Sequence, residues 1–257
     1  MNLGIMQGRL SKPTNGHMQE FPPDWQAEFE LLPKCGLSHI EWLITKGSAS
    51  HNPAFDTSTS LKEYPISSLC ADTLVDSAII DEDYLRKHLE PICESAIRNE
   101  IGVITIPLLE ESNMEDTEKR QKFKTLIREY AIKYPNLQFS FECELTIPGL
   151  QDILQLSNNF YVTYDTGNIT SYGIEHSEYI STFHERINNI HLKDRTYNAE
   201  TVSPTKGNTD FALIFENLFL FGYNGPYTMQ TARGKTGHEI DTVLQHKTIL
   251  EGLHNAK

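Results

Sequence analysis

Phe139-Ser140-Phe141-Glu142, Tyr161-Val162-Thr163-Tyr164-Asp165, Ile187-Asn188-Asn189-Ile190-His191 and Tyr227-Thr228-Met229-Gln230 are four short apolar runs, each ending on a polar residue. Runs of this length, bounded by turn residues, read as β-strands. Successive side chains on a strand point to opposite faces. With Phe139 and Phe141 on the outer face, Ser140 and Glu142 share the inner one. The same parity groups Thr163 with Asp165, Asn189 with His191, and Thr228 with Gln230. Two carboxylates, an imidazole and an amide oxygen form a donor set suited to a divalent cation. A single Glu, Asp or His at a strand end is explained well enough by a loop cap or a satisfied core residue. Four in register are not.

Working outward, four more apolar runs precede these: Leu3–Met6, His39–Ile44, Ile66–Ala71 and Val103–Pro107. The four already described extend over Leu137–Cys143, Tyr161–Asp165, Asn188–Leu192 and Tyr227–Thr231. Helical patterns cover Trp25–Lys34, Asp83–Asn99, Glu115–Lys133, Pro148–Leu156, Ser177–Ile187, Asp210–Phe221 and Glu239–Leu253. Asp83 and Asp210 suit N-caps, and Gly36 and Gly222 suit the position just past a helix end. Gly47–Glu63 and Thr196–Asn208 read as long irregular loops. Strands alternating with helices pair in parallel through right-handed crossovers. The 257 residues are close to the roughly 250 of one (β/α)₈ barrel. The expected fold is therefore an α/β TIM barrel, a single domain over 1–257, with the four polar residues at the strand ends that carry function.

Bulk properties narrow the function. A net charge of −13 argues against non-specific binding of nucleic acid or an anionic membrane. No apolar run approaches the ~20 residues of a membrane span. Cys35, Cys70, Cys93 and Cys143 lie in apolar segments without a CxxC spacing, as buried free thiols do in a reducing compartment. With no basic, apolar leader at Met1, these features lead to an expected cytoplasmic location.

Asp165-Thr166-Gly167-Asn168 and His191-Leu192-Lys193-Asp194 resemble signatures of the xylose isomerase-like TIM-barrel superfamily, the sugar phosphate isomerases and epimerases. Gly4-Ile5-Met6-Gln7-Gly8-Arg9-Leu10 and Met229-Gln230-Thr231-Ala232-Arg233-Gly234 resemble one branch of it. The resemblance spans essentially the whole chain. It implies one divalent metal (Mn²⁺, Mg²⁺, Co²⁺ or Zn²⁺) held by Glu142, Asp165, His191 and the residue at 230. The family has Glu at that last position, and this chain has Gln230. The family's epimerases use two opposed glutamates as bases. Gln230 cannot take a proton, which favours one-base isomerisation with Glu142 as the catalytic base. Family members are often dimers or tetramers, which leaves a homo-oligomer open.

The expected substrate shell is Arg9, Glu41, Asn168, Lys193, Arg195 and Arg233. Trp42 beside Glu41 suits a sugar-binding floor, and a packed barrel wall suits it nearly as well. Asp194 and Arg195 at the start of a loop suit a salt bridge equally. Arg233-Gly234-Lys235-Thr236-Gly237 follows the eighth strand, where barrels often bind phosphate. A sugar or sugar phosphate is thus the expected small-molecule partner. Two alternatives stay open: a metal-dependent dehydratase or lyase acting on a polyol or keto acid, and a non-catalytic sugar-binding barrel with an eroded metal site. Endonuclease IV-like enzymes of the same superfamily fit poorly, because the second to fourth strands end without His.

Overall fold

Each of the eight apolar runs forms a strand in the computed structural model, which describes Met1–Ala256. The strands are β1 (Asn2–Met6), β2 (Ile40–Leu43), β3 (Ile66–Cys70), β4 (Val103–Leu108), β5 (Gln138–Cys143), β6 (Phe160–Asp165) and β7 (Ile187–Leu192). A two-residue hairpin, β8 (Asp194–Arg195) with β9 (Thr201–Val202), precedes β10 (Pro226–Met229). The main strands close into a barrel in the order β1-β10-β7-β6-β5-β4-β3-β2, while β8 and β9 form a separate antiparallel pair. The fold is an eight-stranded parallel (β/α)₈ barrel.

By proximity the chain divides into two compact units, Met1–Ile40 with Tyr164–Lys257, and Glu41–Thr163. In the second unit, β4 and β5 pair in parallel from Val103↔Gln138 to Leu108↔Cys143. One face of these strands is apolar, Ile104 and Ile106 on β4 beside Phe139 and Phe141 on β5. Phe141 meets Phe123 of helix α4 (Thr117–Lys133) and Phe160 edge-on, at centroid distances of 6.0 and 5.1 Å. The other face carries Thr105, Ser140 and Glu142, all buried. The Thr105 hydroxyl donates to Glu41 Oε1 at 2.7 Å, and the Ser140 and Thr163 hydroxyls lie 2.7 Å apart. A buried polar layer survives only where its groups satisfy one another.

In the first unit, β1 pairs with β10 (Asn2↔Pro226 to Ile5↔Met229), and β10 with β7 (Thr228↔His191). Helices α1 (Trp25–Cys35), α7 (His176–Phe183), α8 (Phe211–Leu220) and α9 (Glu239–Asn255) complete this unit's secondary structure with α6, described below. Gly36 ends α1 in the left-handed conformation, φ +62°. Asp210 caps α8 by accepting from Leu213 N at 3.0 Å.

The local chemistry moves three expected boundaries. Asp81, not Asp83, caps the helix after β3, accepting from Tyr84 N at 2.8 Å. The single helix expected over Asp83–Asn99 is two, α2 (Glu82–His88) and α3 (Glu90–Arg98), because Pro91 in the first turn of α3 supplies no backbone N–H to continue α2. Residues 166–172, outside every helix expected from the sequence, form α6 (Thr166–Tyr172). All four cysteines are buried free thiols. No helix among the described residues is long and apolar enough to cross a membrane.

Candidate metal centre

Glu142 and Asp165 stand near or at the carboxyl ends of β5 and β6, His191 near the end of β7, and Gln230 one residue past β10; all four are buried. One ligand atom each from Glu142, Asp165 and His191 lies within 4.8 Å of the others. His191 Nδ1 is 3.9 Å from Asp165 Oδ2. Its Nε2 sits 3.3 Å from the Asn189 side-chain amide, which in turn accepts from the Thr228 hydroxyl at 3.2 Å. Asn189 and Thr228 therefore orient the imidazole ring from below, the kind of support a metal-binding His receives.

Gln230 is fixed through its backbone, where its N–H donates to Leu192 O at 3.1 Å. Its side-chain Oε1 is buried and has no hydrogen-bond partner. A buried amide oxygen left unsatisfied costs about 1–3 kcal/mol. The two carboxylates and the imidazole are donors that fit a divalent cation, and the unpartnered Gln230 oxygen is a donor of the same kind.

The Asp165–Asn168 segment is built around that cluster. Asp165 caps α6, its Oδ1 accepting from Asn168 N at 2.8 Å. The Thr166 hydroxyl donates to Lys193 O at 2.6 Å and to His191 O at 3.2 Å, tying the helix start to the end of β7. A Cβ at Gly167 would lie 2.8 Å from Lys193 Cγ and 3.1 Å from Arg195 Cγ, so only glycine lets both stems pass. Lys193 is buried; its ammonium is 2.7 Å from Asp165 Oδ2 and 3.4 Å from Asn168 Oδ1. Thr166 and Gly167 were absent from the expected site residues, although the Asp-Thr-Gly-Asn motif contains both.

The other expected shell residues lie in different surroundings. Arg195 is half-buried, with Nη1 3.4 Å from Ser171 Oγ. The carboxylate of its neighbour Asp194 accepts from Gly207 N and Thr209 N at 2.9 and 3.1 Å and shapes the loop after β7. Arg9 and Arg233 both donate to the Met18 carbonyl, Arg9 also to Thr231 O at 3.3 Å and Arg233 to Gly8 O at 2.7 Å. Burial lowers the Arg233 pKa, opposed by Glu20, Glu28 and Glu239. These two arginines clasp the loop that follows β1. Glu20 gathers the same loop: burial raises its pKa, but bonds from Asn15, Thr14 and His17 outweigh that and hold it at about 2. Glu41 accepts from Thr105 on the buried polar face, while Trp42 donates to Asn52 Oδ1 at 2.9 Å. Adjacent strand residues face opposite ways, so Glu41 and Trp42 do not make one floor.

A (β/α)₈ barrel with a carboxylate–histidine cluster at its strand ends is thus the class that fold and site define. The fold is that of the xylose isomerase-like barrels and sugar phosphate isomerase/epimerases. A structure of the IolI protein with a bound zinc atom superposes with a TM-score of 0.72 at 15% identity, covering 100% of this chain and 99% of that one. The 3-keto-D-glucoside 4-epimerase YcjR of E. coli gives 0.71 at 16%, covering 98% and 99%. D-Psicose 3-epimerase of Clostridium cellulolyticum H10, solved with D-tagatose, gives 0.71 at 16%, covering 100% and 99%. No family model and no curated protein matches the sequence.

Proposed function

We propose that the protein is a metal-dependent sugar isomerase whose cation is held by Glu142, Asp165, His191 and Gln230, with Glu142 as the base. The observation that carries this reading is the Glu142–Asp165–His191 cluster, its ligand atoms within 4.8 Å of one another. The zinc bound by one structural neighbour and the sugar epimerases among the others support it. A divalent cation there would polarise a substrate carbonyl as a Lewis acid. Glu142 would remove the proton from the carbon beside that carbonyl and return it to the adjacent carbon, while a hydroxyl proton crosses between the two oxygens. An aldose and its ketose interconvert with no net gain or loss of atoms. Asn189 and Thr228 keep the His191 ring in register. Gln230 offers a carbonyl oxygen but no basic site, so a second proton transfer on the opposite face lacks its base.

The test is metal content of the purified protein by elemental mass spectrometry, beside the Glu142→Ala/His191→Ala double variant, followed by deuterium uptake from D₂O into free and phosphorylated ketoses. One divalent ion per chain, lost in the variant, together with deuterium uptake at the carbon beside the carbonyl, is expected. No metal in either protein after Mn²⁺ supplementation sinks the proposal in favour of a non-catalytic sugar-binding barrel.

A further inference from the structure

We infer that Glu28, a carboxylate of α1 outside the metal cluster, is the positioning residue of the fourth donor, fixing Gln230 through Arg9 and Thr231; this rests on the proposed metal site. β10 ends at Met229, opposite Ile5 of β1 and Leu192 of β7, so Gln230 lies just past the strand. Its Oε1 is buried and has no hydrogen-bond partner, so the backbone that carries it determines where that oxygen stands. On one side this backbone is held by the Gln230 N–H, which donates to Leu192 O at 3.1 Å. On the other side it is held at Thr231. Arg9 Nε donates to Thr231 O at 3.3 Å, and His246 Nδ1 of α9 lies 2.9 Å from Thr231 Oγ1. Arg9 can hold Thr231 only if its own loop is fixed, and Glu28 fixes it. Glu28 Oε2 accepts from Gly8 N at 2.9 Å and Oε1 from Leu10 N at 3.1 Å. One carboxylate thus takes the N–H before Arg9 and the N–H after it. Arg233 grips the same turn from beyond Thr231, its Nη1 donating to Gly8 O at 2.7 Å. Gly8 has φ +84°, and a Cβ there would run into the Glu20 carbonyl oxygen, so the turn requires glycine. Glu28 itself is 1% exposed. A carboxylate is buried at a penalty unless hydrogen bonds compensate, and an apolar side chain fills the α1 core position one turn later, at Leu32. Both oxygens of Glu28 serve the loop that carries Arg9. Elements α1, α9 and β7 therefore converge on two successive residues, one of which presents the unpartnered oxygen.

The test is a double-mutant cycle on Mn²⁺ affinity, measured by isothermal titration calorimetry with circular dichroism to verify folding. Its corners are wild type, Glu28→Gln, Gln230→Ala and the double variant. Glu28→Gln keeps the shape of the side chain but turns an amide N–H donor toward one of the two loop N–H groups. In the wild-type background it is expected to weaken Mn²⁺ binding about 10-fold, the effect typical of removing a group that orients a metal ligand. In the Gln230→Ala background it is expected to change the affinity by less than about 2-fold, because the donor it positions is gone. A general loosening of the fold would instead lower the affinity equally in both backgrounds. Arg9→Met keeps the stem and removes the bond to Thr231 O. It is expected to repeat the pattern and supplies the cycle should Glu28→Gln not fold. Equal losses in both backgrounds, wild-type affinity in both Glu28→Gln and Arg9→Met, or wild-type affinity in Gln230→Ala each overturn the inference while leaving the three-residue metal cluster in place. Absence of a Mn²⁺ isotherm in wild type overturns the metal proposal itself, and the inference with it.

Discussion

Gln230 is where a single atom separates two chemistries. Replacing its amide by a carboxylate adds a negative charge and a base at the same point. Gln230→Glu is expected to bind Mn²⁺ about 10-fold or more tightly, since an anionic oxygen replaces a neutral one at a dication. On the proposed chemistry it is also expected to epimerise ketoses that the wild type does not epimerise. Calorimetry measures the first and product analysis the second; if the variant epimerises no ketose the wild type ignores, residue 230 does not limit the chemistry. Gly167 is the other decisive residue. Its Cβ would meet a lysine stem held at both ends, by the Thr166 hydroxyl at the backbone and by Asp165 at the ammonium. Gly167→Ala is expected to cost about 1–3 kcal/mol, the usual price of overfilling a packed site. Urea unfolding checks this; an unchanged midpoint would mean the Lys193 stem moves freely and Gly167 is not a spatial requirement.

Helix α6 shows which physics the sequence displays and which it hides. The eight strands are legible because each is an apolar run between turn residues, and alternation then fixes which side chains share a face: Phe139 and Phe141 outward, Ser140 and Glu142 on the other face. Thr166–Tyr172 reads Thr-Gly-Asn-Ile-Thr-Ser-Tyr, composed mostly of residues that disfavour helix. It is helical because Asp165 caps it and because Thr166 anchors it to the His191 and Lys193 carbonyls, the latter a contact between residues distant in sequence. For the same reason the expected donors Glu142, Asp165, His191 and Gln230 could be named from strand ends, whereas the shared hold of Arg9 and Arg233 on the Met18 carbonyl joins residues too far apart in sequence to be read there. The α6–α7 connection carries a pH-sensitive element. His176 lies beneath it, with its ring nitrogens 2.5 Å from Tyr164 Oη and 3.0 Å from Thr170 Oγ1. Burial lowers its pKa to about 4, weakly opposed by Asp210. The unfolded chain protonates this ring below about 6.5, and the folded chain only near 4. Its contribution is therefore complete above pH 6.5 and is lost as pH falls toward 4, roughly 2–3 kcal/mol by pH 4.5. Wild type is expected to lose that much more stability than His176→Gln between pH 7 and 4.5 in urea titrations. Parallel pH profiles for the two proteins would place the acid sensitivity elsewhere.

At the scale of the whole molecule, the proposed donors for one cation lie on β5, β6 and β7 and just past β10, so a metal that binds them binds residues the unfolded chain does not hold together. Binding of that kind stabilises by mass action, about 2.7 kcal/mol at a hundredfold excess over Kd. For a chain of this length that corresponds to a rise in Tm of roughly 5–10 °C. The donor set specifies how the effect ranks among ions. Two carboxylates, one imidazole and one amide oxygen contain no sulfur ligand, although all four cysteines of the chain are buried elsewhere as free thiols. Mn²⁺, Co²⁺ and Zn²⁺ suit such a mixed nitrogen–oxygen set, whereas Ca²⁺ prefers six to eight oxygens. Thermal unfolding with each ion in turn is expected to show shifts for Mn²⁺, Co²⁺ and Zn²⁺ and little for Ca²⁺. The Glu142→Ala/His191→Ala protein is expected to show none of them. An equal shift with Ca²⁺, or a shift that survives in the double variant, would mean that the ions act on the acidic surface of the chain and not on these four residues.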